Sequence, residues 1–139
     1  MKICIIGTGY VGLVSGTCFS ELGNNVICVD NDKKKIDELN SCKIPIYEPG
    51  LDELILRNTK QKRLKFTTDI NNSIINSDII FICVGTPTNK KTNKADLKYV
   101  FSVANTIKKN LNKYKIIITK STVPVGTGDK IEKILRSKK

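Results

Sequence analysis

The sequence predicts a doubly wound α/β fold: a parallel sheet with helices on both faces. Three observations carry that reading. Apolar runs of strand length alternate with amphipathic stretches almost throughout the chain. The run DIIFICVG is apolar from end to end, as expected of a strand covered on both faces. The connections are short, and short crossovers of this kind force neighbouring strands parallel.

The elements follow in order. KICIIG opens the chain as a strand, and YVGLVSGTCFSELG is a helix with Val11, Val14, Cys18 and Leu22 expected on its inner face. Gly23 ends that helix as a C-terminal glycine does. NVICVD is the second strand, and NDKKKIDELN is a short helix with Ile36 and Leu39 inward. EPGLDELIL starts another helix, with Pro49 expected in its first turn. LKFTTD is a modest strand, and Asp69 can cap the brief helix after it. DIIFICVG follows. DLKYVFSVANTIKKNL then places Leu97, Val100, Phe101, Ala104 and Ile107 on one stripe. KIIITKS is the last clear strand, and TGDKIEKILRS begins a final helix near Thr127.

With 139 residues the chain is one domain, long enough to bury a real core. The 40% hydrophobic and 27% charged content are those of a soluble globular protein. No apolar run approaches the roughly 20 residues that cross a bilayer, and the start does not read as a signal peptide. A cytoplasmic protein is expected, with no membrane partner. The net charge of +11 is almost all lysine. Those lysines are scattered and few aromatics accompany them, so codon usage explains them better than nucleic acid does. Five cysteines form no CxxC pair and there is no histidine, which argues against a metal site. Cys4, Cys28 and Cys83 lie in apolar runs and read as buried thiols of a reducing compartment.

The chemistry concentrates at strand ends. Gly7, Gly9 and Gly12 form GxGxxG in GTGYVG, directly after a strand and opening a helix, the context that gives this pattern meaning. Gly7 permits the tight turn, Gly9 leaves room for a pyrophosphate, and Gly12 lets the helix approach the sheet. Free amides near Tyr10 and Val11 then meet phosphate at the positive helix end. Asp30, ending the second strand, can accept from both ribose hydroxyls of NAD and would repel the extra phosphate of NADP. Lys33 and Lys34 read as a solvated helix face. VGTPTN leaves the fourth strand, where Thr86 and Thr88 offer hydroxyls and Gly85 and Pro87 fix the backbone; an ordinary strand-to-helix turn reads the same way. ITKSTVPVG ends the last strand in polar side chains at the sheet's carboxyl edge, where such sheets bind ligands.

GTGYVGLVSG, PIYEPGLDELI, DIIFICVGTPT, ADLKYV and KSTVPVGTGDKIE, in this order, together resemble the amino-terminal, Rossmann-type domain of the UDP-glucose/GDP-mannose dehydrogenase family. YEPGL and STVPVGT look more like its UDP-glucose branch than its GDP-mannose or UDP-N-acetylmannosamine branches. The resemblance implies an NAD-dependent, two-step oxidation of UDP-glucose to UDP-glucuronate using two NAD, by a full-length homo-oligomer. It implies that Gly7, Thr8, Gly9, Tyr10, Val11 and Gly12 take the pyrophosphate and that Asp30 reads the ribose. Lys35 would lie along the adenosine. Val84, Gly85, Thr86, Pro87 and Thr88, with Ser121, Thr122 and Val123, would border the nicotinamide. Thr122 matches a threonine that holds a catalytic water, although its hydroxyl could instead satisfy the turn before Pro124. The family's glutamate motif, catalytic lysine, asparagine and thiol would follow Lys139. Residues 1–139 are therefore expected to be the NAD-binding domain, truncated before the central helix and the carboxyl-terminal UDP-sugar domain and inactive alone. A stand-alone nucleotide-binding module is the alternative.

Overall fold

The computed structural model of the chain describes residues 1–137. Its strands are β1 (Lys2–Ile6), β2 (Asn25–Val29), β3 (Leu64–Thr67), β4 (Ile79–Ile82) and β5 (Ile116–Thr119). They form one sheet in the order β3-β2-β1-β4-β5, and every neighbouring pair is parallel. The helices are α1 (Tyr10–Glu21), α2 (Lys33–Asn40), α3 (Leu51–Lys60), α4 (Ile70–Ile75), α5 (Lys98–Asn110) and α6 (Thr127–Arg136). The winding direction reverses between β1 and β4.

Alternation along β1 divides the core. Ile3 and Ile5 join Leu13 of α1, Ile36 and Leu39 of α2 and Leu51 and Ile55 of α3 on one face. Cys4 and Ile6 face the other way, onto Ile74 of α4, Val100, Ala104 and Ile107 of α5 and Ile131 of α6. Of the expected stripe, Val100, Ala104 and Ile107 are buried and joined by Val103, while Phe101 and Leu97, the residue before α5, are partly buried. Cys4, Cys28 and Cys83 are buried free thiols, as expected. Among the described residues no helix is long and apolar enough to cross a membrane.

Two details depart from the sequence reading. The inner face of α1 is not the one that hydropathy picks out: Val11, Cys18 and Leu22 are exposed and Val14 is only partly buried. The buried residues are Gly12, Leu13, Gly16, Thr17 and Ser20. Small residues win this face because α1 lies so close to β1 and β2. A Cβ on Gly16 would sit 2.6 Å from Cys28 Sγ and 3.2 Å from Ile5. The hydroxyls of Thr17 and Ser20 are satisfied within the helix, by the carbonyls of Leu13 and Thr17.

The second departure concerns Pro49, which precedes α3 instead of occupying its first turn. Leu51 N donates to Glu48 O, and Gly50, at φ 79, caps the helix. This is a type II turn with proline and glycine in its two central places. The same turn precedes α6, where Thr127 N donates to Pro124 O around Gly126, at φ 83.

Other boundaries agree with their signals. Gly23, at φ 90, follows the C-cap of α1; its amide donates to Ser20 O and that of Asn24 to Phe19 O, a Schellman pair. Asp32 and Asp69 cap α2 and α4 through their side chains. Below the sheet, Glu21 accepts from Arg57 and from Asn58, both at 2.7 Å, and Asn58 Oδ1 accepts from Arg63. That network joins α1, α3 and the start of β3.

The close approach of α1 gives a test. Gly16→Ala overpacks the interface and should cost about 1–3 kcal/mol in urea unfolding. Cys28→Ala in the same chain should recover part of that loss, because the sulfur is the atom in the way.

Candidate functional site

Register places the site. Ile6 stands level with Val29 on one side and with Ile82 on the other, so Gly7, Asp30 and Cys83 leave the sheet side by side. Gly7 N donates to Val29 O at 2.7 Å, at φ 103, a left-handed backbone that suits glycine. A Cβ there would also lie 2.7 Å from Cys83 O. One turn on, a Cβ at Gly12 would fall 1.8 Å from Gly7 O. The loop and the first turn of α1 are therefore packed at the limit of backbone contact.

Gly9 is different: a Cβ added there would meet nothing within 4 Å. Leu13 N takes Gly9 O, so the amides of Gly9, Tyr10, Val11 and Gly12 find no acceptor among the described residues. They lie at the positive end of a 12-residue helix. A negatively charged group is what such an end stabilises.

Asp30 stands across the loop from these amides. Its Oδ2 accepts from Thr8 N at 2.8 Å, Thr8 Oγ1 at 2.7 Å and Lys35 Nζ at 3.2 Å, and its Oδ1 from Asp32 N at 3.1 Å. Burial pushes this carboxyl up, but the Thr8, Asp32 and Lys35 hydrogen bonds outweigh it and hold the pKa below its ordinary 3.8. Thr8, buried at 1% exposure, points under the loop toward Asp30 and not into open space.

A cavity of about 500 Å³ opens over the reversal point. Gly7, Gly9, Asp30, Lys35, Val84 and Gly85 line it, as do Thr68 and Ile70 beyond β3. Tyr99, Ser102, Val103 and Thr106 of α5 close its far wall, and the sequence reading did not include them. Their signal was present: short polar residues flank the buried stripe of the helix that follows β4, which is the strand at the reversal.

The other predicted residues form a separate crest. Ser121, Thr122 and Val123 follow β5, one strand beyond the reversal, and do not line the cavity. Nor do Thr86, Pro87 and Thr88. Hydrogen bonds join the two segments. Ser121 Oγ donates to Val84 O at 2.7 Å, the amides of Lys120 and Ser121 both donate to Ile82 O, and Thr86 Oγ1 donates to Thr122 O at 3.0 Å. The Thr122 side chain is exposed. Among the described residues its hydroxyl makes no hydrogen bond, to the turn before Pro124 or elsewhere. Tyr10, also exposed, donates its hydroxyl to Glu48 in the strap before α3.

The Asp30 contacts make a pH prediction. A carboxyl whose pKa is lower folded than unfolded adds stability above the unfolded value, and loses it as pH falls through the folded value. An NMR titration should therefore place the Asp30 carboxyl below 3.8. Asp30→Asn should flatten the acid limb of the stability curve between about pH 4 and pH 2.

Comparison with known proteins agrees with this architecture. The UDP-glucose/GDP-mannose dehydrogenase family, NAD binding domain, matches residues 1–139. A UDP-glucose 6-dehydrogenase of Bacillus subtilis is 57% identical over 135 residues, covering 97% of this chain and 29% of that protein. One from Rhizobium meliloti is 52% identical over 136 residues, covering 98% and 31%. The chain thus spans about a third of the length of these relatives. Among solved structures, a GDP-mannose dehydrogenase of Pseudomonas aeruginosa in a ternary complex superposes with a TM-score of 0.91 at 39% identity, over 97% of this chain and 31% of that one. The match runs the whole length of the sequence, and the chain belongs to the UDP-glucose/GDP-mannose dehydrogenase family, of which it is the NAD-binding domain.

Proposed function

We propose that the crevice over β1 and β4 is the NAD site, and that the chain is the NAD-binding portion of a UDP-glucose 6-dehydrogenase. The observation that carries this reading is Gly9: a Cβ there would meet nothing within 4 Å, yet the amides around it have no acceptor among the described residues. An empty cradle with orphan donors suits a pyrophosphate, and the acid beside it suits a ribose hydroxyl. In this reading the amides of Gly9 to Gly12 hold the phosphates, while Asp30 and Lys35 meet the adenosine ribose. The adenosine end lies along Thr68, Ile70 and the α5 wall. The crest of Thr86 to Thr88 and Ser121 to Val123 borders the nicotinamide side.

The relatives named UDP-glucose 6-dehydrogenase support the wider assignment: oxidation of the sugar C6 alcohol to a carboxylate in two steps. NAD supplies the hydride acceptor for each. The part of this chain is to bind and orient. Thr122 offers an exposed hydroxyl that can hold a water but cannot remove its proton at neutral pH, so a carboxylate partner must do that. Of the five thiols only Cys83 lines the cavity. Burial pushes it up to about 11, the charge of Lys120 offsetting only part of this, so it is a poor nucleophile. The 139-residue chain therefore binds NAD and does not capture an aldehyde. Its free cysteines support the reading of a cytoplasmic protein, since thiols persist in a reducing compartment.

Calorimetry on the chain should show NAD binding and no turnover of UDP-glucose. Gly9→Val should keep the unfolding midpoint near that of the parent while weakening NAD by about tenfold or more, ~1.4 kcal/mol. Asp30→Ala should weaken NAD more than NADP. Equal affinity of Gly9→Val and parent for NAD would remove the phosphate cradle, and with it the reading.

A further inference from the structure

Asp30 carries more hydrogen bonds than a carboxylate free to read a ligand would. A carboxylate has about four acceptor directions, two on each oxygen. Four protein donors already occupy Asp30: Thr8 N, Thr8 Oγ1 and Lys35 Nζ on Oδ2, and Asp32 N on Oδ1. The crowding is lopsided. Oδ2 is full, and its longest contact, at 3.2 Å, comes from the flexible Lys35. Oδ1 has one donor and one direction left.

Resting on the NAD reading above, we propose that Thr8 is the positioning residue of this site: its hydroxyl and amide together clamp Asp30 Oδ2, so that Oδ1 is the oxygen presented to the ribose. The sequence reading expected the carboxylate to accept from both ribose hydroxyls. The hydrogen bonds leave room for one on Oδ1, while on Oδ2 the two Thr8 donors fill both directions even if Lys35 withdraws. Thr8 is suited to the task because it lies inside the glycine loop. Its amide is the one loop amide after Gly7 that already has a partner, and its buried hydroxyl donates to Asp30. The charged groups that face this carboxylate are the Lys35 ammonium from α2 and the Asp32 carboxylate at that helix's N-cap, whose own side chain is turned to Lys35 N. One loop thereby sets both the phosphate donors and the angle of the ribose acceptor, and cannot shift one without the other.

The test is a binding cycle on the 139-residue chain, read by calorimetry with NAD. Thr8→Val keeps the shape and deletes the hydroxyl; Thr8→Ala deletes it without adding bulk; Thr8→Ser keeps it. Each is measured alone and with Asp30→Asn, after circular dichroism confirms the fold. Loss of one such hydrogen bond should weaken NAD by roughly three- to tenfold in the valine and alanine chains, while Thr8→Ser stays within about twofold of the parent. In the Asp30→Asn background the same substitutions should cost less than about twofold, because a positioning residue has nothing left to position. Equal losses in both backgrounds, or no loss in either, would overturn the clamp and leave the NAD site standing. If the parent chain fails to bind NAD, both the clamp and the site reading fall.

Discussion

The contact that everything else follows from is the approach of α1 to the sheet. Gly12 lets the first turn of α1 pack against Gly7 O, and Gly16 lets the helix body rest on Cys28 and Ile5. No side chain larger than hydrogen fits either place without movement. That approach brings the helix N-terminus, whose first amides have no acceptor among the described residues, to the rim of β1, which ends level with β2 and β4. A helix standing farther off would aim its dipole past the crevice. The small inner face of α1 is thus a packing feature with a functional result.

Around that contact the strand ends are tied laterally. Thr8 joins the loop after β1 to Asp30 after β2, and Lys35 joins Asp30 to α2. Ser121 and Thr86 join the ends of β4 and β5. Segments that would be loose loops at a sheet edge are therefore cross-linked by short hydrogen bonds, and a site built on them is preorganised. The far end of the sheet is tied in another way. Lys115, buried at the start of β5, donates to the carbonyls of Ile75 and Ser77 at the end of α4, and burial lowers its pKa. The stabilising network of Glu21, Asn58 and Arg63 also lies at that end, apart from the proposed chemistry.

Much of this was legible in the amino-acid order because the signals were local. Strand runs, Gly23, the capping Asp69 and GTGYVG each act within a few residues, and each sits where its signal places it. The α1 face was misread because hydropathy rewards Val11, Val14, Cys18 and Leu22, whereas the spacing between helix and sheet rewards the absence of a side chain. The start of α3 was placed two residues too early because proline favours both a first helical turn and the second position of a type II turn, and Gly50 decides between them. The carbonyl that Ser121 Oγ meets, Val84 O, is supplied by the parallel pairing of β4 with β5, and that pairing is a tertiary fact. The α5 wall needed the strand order before Tyr99 and Thr106 could be placed over the crevice. The family resemblance grouped Thr8 with the pyrophosphate residues, and its partner Asp30 emerges once β1 and β2 end level.

The account is tested most directly by following the backbone amides of the chain in ¹H–¹⁵N correlation spectra while NAD is added. It predicts that the largest shifts fall on Gly9, Tyr10, Val11 and Gly12, with smaller ones at Asp30 and along α5, and none at Asn112 to Lys115 at the opposite end of the sheet. Shifts centred away from the β1–α1 loop, or none at all under saturating NAD, would contradict it.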